Sequence, residues 1–129
     1  MNVPERVEDE WIRKAEEDEL SAKAVLKEGA PSTGCFLAQQ IAEKYLKALL
    51  IRHRLEFPKT HDLIALASLV EPRVQGVRVL QDDLKTLGRY YVETRYPGDY
   101  SPFTREECQH ALEAALRVKD FVMKRLSSG

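Results

Sequence analysis

The sequence predicts an all-α fold, an antiparallel bundle of about five helices, four of them long and one short. Apolar residues recur at steps of three and four along most of the chain, and glycine and proline gather at a few boundaries between those stretches. No segment of useful length alternates apolar and polar residues as a strand does. With 129 residues and neither a repeat nor a linker, residues 1–129 are expected to form a single domain around one core.

The first helix is predicted from Glu8 to Glu28, because apolar residues recur from Trp11 onward until Gly29-Ala-Pro31 ends the pattern. Asp18 falls in the middle of this apolar stripe, where a carboxylate is costly unless it is paired. We therefore expect Asp18 to join a buried network with a structural role. Its candidate partners are Lys47, Tyr45, Arg95 and His61.

A second helix is predicted to start at a Ser32 or Thr33 cap and to run to about Arg54. Its apolar face covers roughly half the circumference, which suits a central helix and leaves room for a homodimer contact. That face consists of Cys35, Ala38, Ile41, Ala42, Tyr45, Leu46, Ala48 and Leu49. The opposite side is polar and forms either a solvated surface or a ligand-binding one. Its residues are Gln39, Gln40, Glu43, Lys44, Lys47 and Arg54.

Three further helices complete the prediction. The third is short, capped by Thr60 or Asp62 and stopped by Glu71-Pro72. The fourth extends from about Val77 until Pro97-Gly98 closes it. The last follows a capping box, and the residues flanking that box are placed to act as a hydrophobic staple. The box is Thr104-Arg-Glu-Glu107, and the staple pair is Phe103 with Cys108.

Composition narrows the class of function. Twenty basic and twenty-one acidic residues leave a net charge of −1, so any site for a polyanion must be local. No apolar run approaches the ~20 residues that span a bilayer, and we expect a cytoplasmic protein without a membrane role. Cys35 and Cys108 are expected to be buried free thiols, because neither has a neighbour at metal-binding spacing. No metal cluster, nucleophile elbow or glycine-rich phosphate loop is present in the sequence, and no cofactor is expected.

Four blocks of the sequence occur together in a characteristic order. They are Trp11 with Ala15 and Asp18, the segment 36–50 (FLAQQIAEKYLKALL), Thr60-His-Asp-Leu63, and Arg95-Tyr-Pro97. Over about residues 11–126 this combination resembles the HEPN family, named for higher eukaryotes and prokaryotes nucleotide-binding. The resemblance implies a helical bundle that pairs with itself and is encoded beside a small nucleotidyltransferase in toxin–antitoxin-like operons.

The resemblance leaves two functions open. The first is a non-catalytic nucleotide- or RNA-binding partner of the nucleotidyltransferase. The alternative is a metal-independent ribonuclease toxin, in which an Arg-x(4–6)-His motif meets across a homodimer, with Arg holding phosphate and His moving protons. Arg105 and His110 have this spacing, but a five-residue step separates them by about 140° on a helix. Arg54 and His61 fit the looser spacing across a loop. Whether the protein is an enzyme stays open.

The candidate ligand-binding residues lie near two helix ends. His61 stands at the start of the third helix, where backbone N–H groups favour an anion, although it can equally serve as a local cap. Guanidinium and phenol groups near the end of the fourth helix can grip a phosphate and stack on a base, or simply fill the edge of the core. With Lys47 from the second helix, the ligand-binding candidates are His61, Arg89, Tyr91, Arg95, Tyr96 and Lys47.

Overall fold

The structure is a computed structural model that describes residues 6–91 and 103–127. It contains α1 (Val7–Glu28), α2 (Pro31–Arg52), α3 (Leu63–Val70), a short 3-10 helix (Val77–Leu80), α4 (Gln81–Gly88) and α5 (Arg105–Ser127). No strand occurs within these described residues, so the predicted all-α class is confirmed. Within the same residues no helix is long and apolar enough to cross a membrane.

Only two residues connect α1 and α2, because a single short motif ends the first helix and begins the second. Gly29 adopts a left-handed conformation with φ of 89° and donates its N–H to the Val25 carbonyl, which closes α1. Pro31 then occupies the first turn of α2, where its missing N–H costs nothing. The predicted Ser32 or Thr33 cap was wrong, because Ala30 is the capping residue and no side chain caps this end.

The helix directions follow from contacts at the helix ends. Arg105, at the start of α5, donates to the carbonyls of Leu26 and Lys27 at the end of α1, so these two helices are antiparallel. Arg52, at the end of α2, donates to the carbonyl of Leu126 at the end of α5, which makes α2 and α5 parallel. The chain between them, including α3 and α4, carries α5 back to the end where α2 begins.

α2 is the central helix of the bundle, as its wide apolar face predicted. It packs most extensively against α1 and α5, and it also contacts α3 and α4. Tyr45, Leu46 and Leu49 are fully buried on it, while Leu66 of α3 and Leu87 of α4 fill the same core. The polar residues of α2 therefore have little access to solvent unless a gap between the surrounding elements exposes them.

The fourth helix is shorter than predicted. It begins as the 3-10 helix and its α-helical part ends at Gly88, well before Pro97. Arg89 and Tyr90 follow in a turn, in which their N–H groups reach the carbonyls three residues back rather than four. Glycine weakens helices, and it stands where this one ends. The predicted stop at Pro97-Gly98 lies outside the described residues.

Other local predictions are confirmed. Asp62 caps α3, with its Oδ1 atom accepting a hydrogen bond from the Ala65 N–H at 3.1 Å. Thr104 caps α5, with Oγ1 accepting from the Glu107 N–H at 3.0 Å. Phe103 packs edge-on against the Tyr90 ring, with centroids 5.0 Å apart, and its predicted staple contact with Cys108 stays a prediction.

Two predictions about single side chains were wrong. Asp18 is partly buried as expected, but among the described residues it pairs with Lys44 rather than with Lys47, Tyr45 or His61, and the fourth candidate, Arg95, lies outside the described residues. Lys44 reaches it because α1 and α2 lie side by side. Cys35 and Cys108 are not free thiols, since a disulfide joins them with 4.7 Å between their Cα atoms. The first turns of the parallel helices α2 and α5 lie side by side, which brings these cysteines together.

Candidate functional site

A row of polar side chains runs along α2 and is almost completely buried. Gln39, Glu43 and Lys47 occupy successive turns at four-residue intervals, so they share one face of the helix. Their exposed fractions are only 0%, 3% and 7%. Burying a carboxylate and an ammonium group is costly unless each is paired. We define Gln39, Glu43 and Lys47 as the α2 polar row.

Glu43 is the centre of the α2 polar row because three groups converge on its carboxylate. Lys47 Nζ lies 2.9 Å from Oε2, His61 Nδ1 lies 2.9 Å from Oε1, and Gln39 Nε2 donates to Oε1 at 3.2 Å. Burial alone would raise the pKa of Glu43, but the hydrogen bonds from Lys47, His61 and Gln39 outweigh it and hold the pKa below its ordinary value. The carboxylate is therefore ionised at neutral pH.

Gln39 ties the α2 polar row to the loop that precedes α3. Its Nε2 atom donates to the His61 backbone carbonyl at 3.2 Å as well as to Glu43. Gln40 donates in turn to Gln39 Oε1 at 2.7 Å, which fixes the orientation of the Gln39 amide. Both the backbone and the ring of His61 are thus anchored to α2.

Aromatic rings surround the ammonium group of Lys47. Its Nζ atom lies 5.3 Å from the centroid of the Trp11 ring and 5.9 Å from that of Phe57. Cations are stabilised near the faces of aromatic rings, most strongly when water is excluded. Lys47 is held by these rings and by its ion pair with Glu43, and its role in ligand binding stays a prediction. Its positive charge neutralises the Glu43 carboxylate.

His61 stacks on Tyr91, which brings together two of the predicted ligand-binding residues. The ring centroids are 3.9 Å apart and the ring planes differ by 17°. Tyr91 also lies near Phe36 of α2, at a centroid distance of 6.4 Å. The His61 side chain remains 44% exposed, so the stacked pair borders solvent while Glu43 lies below it.

The stacked pair forms part of an open groove between the start of α3 and the end of α4. We call this the α3–α4 groove, and its volume is about 580 Å³. Two lysines border it, Lys59 from the loop before α3 and Lys85 from α4. Its lining also includes Thr60, His61, Asp62, Leu63, Ile64, Leu84, Gly88 and Tyr91. Cationic and aromatic groups together suit a ligand that carries both a phosphate and a planar ring.

Of the other predicted ligand-binding residues, Arg89 and Lys47 do not line this groove. Arg89 is exposed in the turn after α4 and lines, with Lys85, an adjoining depression. Arg95 and Tyr96 lie outside the described residues. Among residues 6–91 and 103–127, no group of three or more histidine, cysteine or acidic side chains could hold a metal ion.

The residues of the Arg-x(4–6)-His candidates have separate environments. The Arg105 guanidinium donates to the carbonyls of Leu26 and Lys27 at 2.6 to 3.0 Å, so it caps the end of α1. His110 is exposed on α5. Arg54 follows α2 in a left-handed conformation with φ of 57° and is also exposed.

The main residue that sequence reasoning underrated is Glu43. It was grouped with the polar side of α2, but its pairing with His61 depends on the loop folding back over the helix. The sequence did contain a signal for this buried row. Polar residues recur at four-residue steps beside a very wide apolar face, at Gln39, Glu43 and Lys47. Such a row is too close to the core to be an ordinary solvated surface.

Comparison with known proteins agrees with this architecture. The crystal structure of TT1696 from Thermus thermophilus is similar with a TM-score of 0.82 and 29% identity, covering 91% of this chain and 96% of that one. ST0689, described as an archaeal HEPN homologue, is similar with a TM-score of 0.75 and 25% identity, covering 94% and 98%. A comparison with curated proteins finds no match. A family model described as the HEPN domain matches residues 8–126, and the chain therefore belongs to the HEPN family.

Proposed function

We propose that this protein is a non-catalytic nucleotide- or RNA-binding subunit that works with a small nucleotidyltransferase in a toxin–antitoxin-like pair. The observation that carries the binding part is the His61–Tyr91 stack in the α3–α4 groove, bordered by Lys59 and Lys85. Lysine ammonium groups bind phosphate oxygens, and aromatic faces stack on bases of any sequence. The partner and the operon role are expectations from the family resemblance.

Calorimetric titration with AMP, ATP and a short single-stranded RNA tests the binding. The variants Lys59→Ala and Lys85→Ala should each weaken binding several-fold, and the loss should shrink at high salt because the contacts are ionic. Lys14→Ala is the matched control, since Lys14 is an exposed lysine of α1 that does not line the groove. If none of the ligands gives a heat of binding at millimolar concentration, the binding part of the proposal is refuted.

The partner is tested separately. Co-expression with the product of an adjacent nucleotidyltransferase reading frame should give a complex that co-elutes in size-exclusion chromatography. The same chromatography with light scattering tests the expected homodimer. A monomeric protein that leaves the nucleotidyltransferase unbound at micromolar concentration would contradict this part of the proposal.

A metal-independent ribonuclease is the second candidate, and one observation favours it. A histidine ring oriented by a buried carboxylate is an arrangement that suits proton transfer, and His61 with Glu43 has it at 2.9 Å. Cleavage of structured RNA in the presence of a chelator, comparing wild type with His61→Ala, Arg95→Ala and His110→Ala, separates the two functions. RNA left intact by the wild-type protein excludes the ribonuclease.

A further inference from the structure

The contact between His61 and Glu43 determines where the proton of the imidazole lies. Glu43 is ionised, so both of its oxygens only accept hydrogen bonds. Its Oε1 atom lies 2.9 Å from His61 Nδ1, a distance at which Nδ1 must carry the hydrogen. The Gln39 amide and the Lys47 ammonium group satisfy the rest of the carboxylate. The hydrogen bond to Glu43 thus determines the tautomer of His61.

The second ring nitrogen is consequently an acceptor when the ring is neutral. With Nδ1 protonated, the lone pair of a neutral imidazole is on Nε2. Among residues 6–91 and 103–127, none hydrogen-bonds His61 Nε2. The ring is one wall of the α3–α4 groove and its side chain is 44% exposed. A ligand in this groove therefore meets an uncharged acceptor at Nε2, and Lys59, Lys85, the Thr60 hydroxyl and the Asp62 carboxylate line the same groove.

These groups match different parts of a ribonucleotide. Phosphate oxygens only accept hydrogen bonds and suit the lysines, but they cannot bond a neutral Nε2 atom. A ribose hydroxyl is an uncharged donor attached within a few bonds of the phosphate, so one compact ligand can satisfy both. The hydroxyl is also the group by which proteins distinguish RNA from DNA.

Resting on the proposed binding function, we infer that the α3–α4 groove selects ribose over deoxyribose. In this arrangement His61 Nε2 accepts a hydrogen bond from a ribose hydroxyl, while Lys59 and Lys85 hold the neighbouring phosphate. Glu43 is a positioning residue that acts through His61 by fixing its tautomer. The ligand class is a ribose hydroxyl beside a phosphate, which a free ribonucleotide or an RNA strand supplies.

Binding measurements at about pH 8, above the usual titration range of histidine, test the selection. The probes are AMP with its 2′-deoxy and 3′-deoxy analogues, and a hexameric oligo(A) as RNA and as DNA. Loss of the contacted hydroxyl should weaken binding about fivefold, the value of one neutral hydrogen bond. Discrimination among the AMP analogues supports a free nucleotide as ligand, and discrimination only between the oligomers supports RNA.

The variant Glu43→Gln separates positioning from folding. A glutamine amide can donate to Nδ1 and shift the hydrogen to Nε2, so the preference for ribose should disappear while binding through the lysines persists. Glu19→Gln is the matched control, because Glu19 is another lysine-paired carboxylate, bonded to Lys23 and Lys119, and lies outside the groove. It should retain the preference.

The tautomer can be measured without any variant. In the wild-type protein, ¹⁵N chemical shifts should identify His61 Nδ1 as the protonated nitrogen and Nε2 as the unprotonated one. An Nε2–H tautomer, or equal affinity for ribose and deoxyribose ligands, overturns this inference and leaves the proposed function standing. If the protein binds none of the probes, the proposed function itself is overturned.

Discussion

Replacing Lys47 by methionine tests whether the α2 polar row is shielded from water. Methionine keeps most of the apolar stem that packs near Trp11 and Phe57, so the main loss is the charge that neutralises Glu43. Removing one partner from a buried ion pair typically costs 3–5 kcal/mol. Glu43 keeps its contacts with His61 and Gln39, which places the expected loss at the low end, about 3 kcal/mol.

Urea denaturation followed by circular dichroism measures this loss. The matched control is Lys23→Met, because Lys23 pairs with Glu19 at the same four-residue spacing and a similar distance, 2.8 Å against 2.9 Å. The Lys23 side chain is 55% exposed, whereas that of Lys47 is 9% exposed. An exposed pair of this kind contributes about 0.3–0.5 kcal/mol. The two substitutions should therefore differ by several-fold in their effect.

The double variant Glu43→Gln with Lys47→Met completes the experiment. Without a charge on either residue, the cost of an unpaired buried carboxylate disappears, and stability should return to within about 1 kcal/mol of the wild type. If Lys47→Met costs no more than Lys23→Met, Glu43 is hydrated, and its carboxylate no longer fixes the tautomer of His61.

Three further results are expected from the same architecture. The folded-state pKa values of Glu43 and Glu19 are lowered, so the stability that these residues contribute is present above their ordinary value of 4.5 and is lost as the pH falls through the lower folded values. The acid-induced fall in the urea midpoint should accordingly be shallower in Glu43→Gln, and an unchanged slope contradicts the pairing. Reduction of the Cys35–Cys108 disulfide, which spans 73 residues, should lower the free energy of unfolding by roughly 4 kcal/mol in matched urea titrations. Two titratable thiols in the unreduced, unfolded protein would show that the bond is absent. Asp62→Ala should cost about 1 kcal/mol by thermal denaturation and Asp62→Asn much less, and equal losses would argue against the cap.

Local sequence signals predicted the helices well where each signal had one interpretation. The period of apolar residues gave the first helix within one residue of α1, and Asp62 caps α3 as expected. The segment Gly29-Ala-Pro31 was correctly read as the end of a helix, but Pro31 also begins the next one. A proline in this position can mark the end of one helix or the start of the next. Both apply here because Gly29 adopts a left-handed turn between the two helices.

The site was harder to predict because it depends on contacts between distant parts of the chain. Sequence periodicity assigns Glu43 and Lys47 to the polar side of α2, but it cannot show that Trp11, Phe57 and the loop at His61 cover that side. The cysteines posed the same difficulty. Their positions, 73 residues apart, carry no local signal, and the disulfide follows only from the parallel arrangement of α2 and α5.

The central position of α2 has a consequence for the proposed binding of a ligand. Amide hydrogens on a helix covered from several sides exchange only in rare openings of the whole domain, so the backbone of the α2 polar row should be among the most protected parts of the protein. The stacked rings of His61 and Tyr91 are carried by the loop before α3 and by a residue beyond the end of α4, outside the helices. If the proposed ligand binds, the Glu43 carboxylate that orients His61 is already in place, and any adjustment should be confined to the two rings.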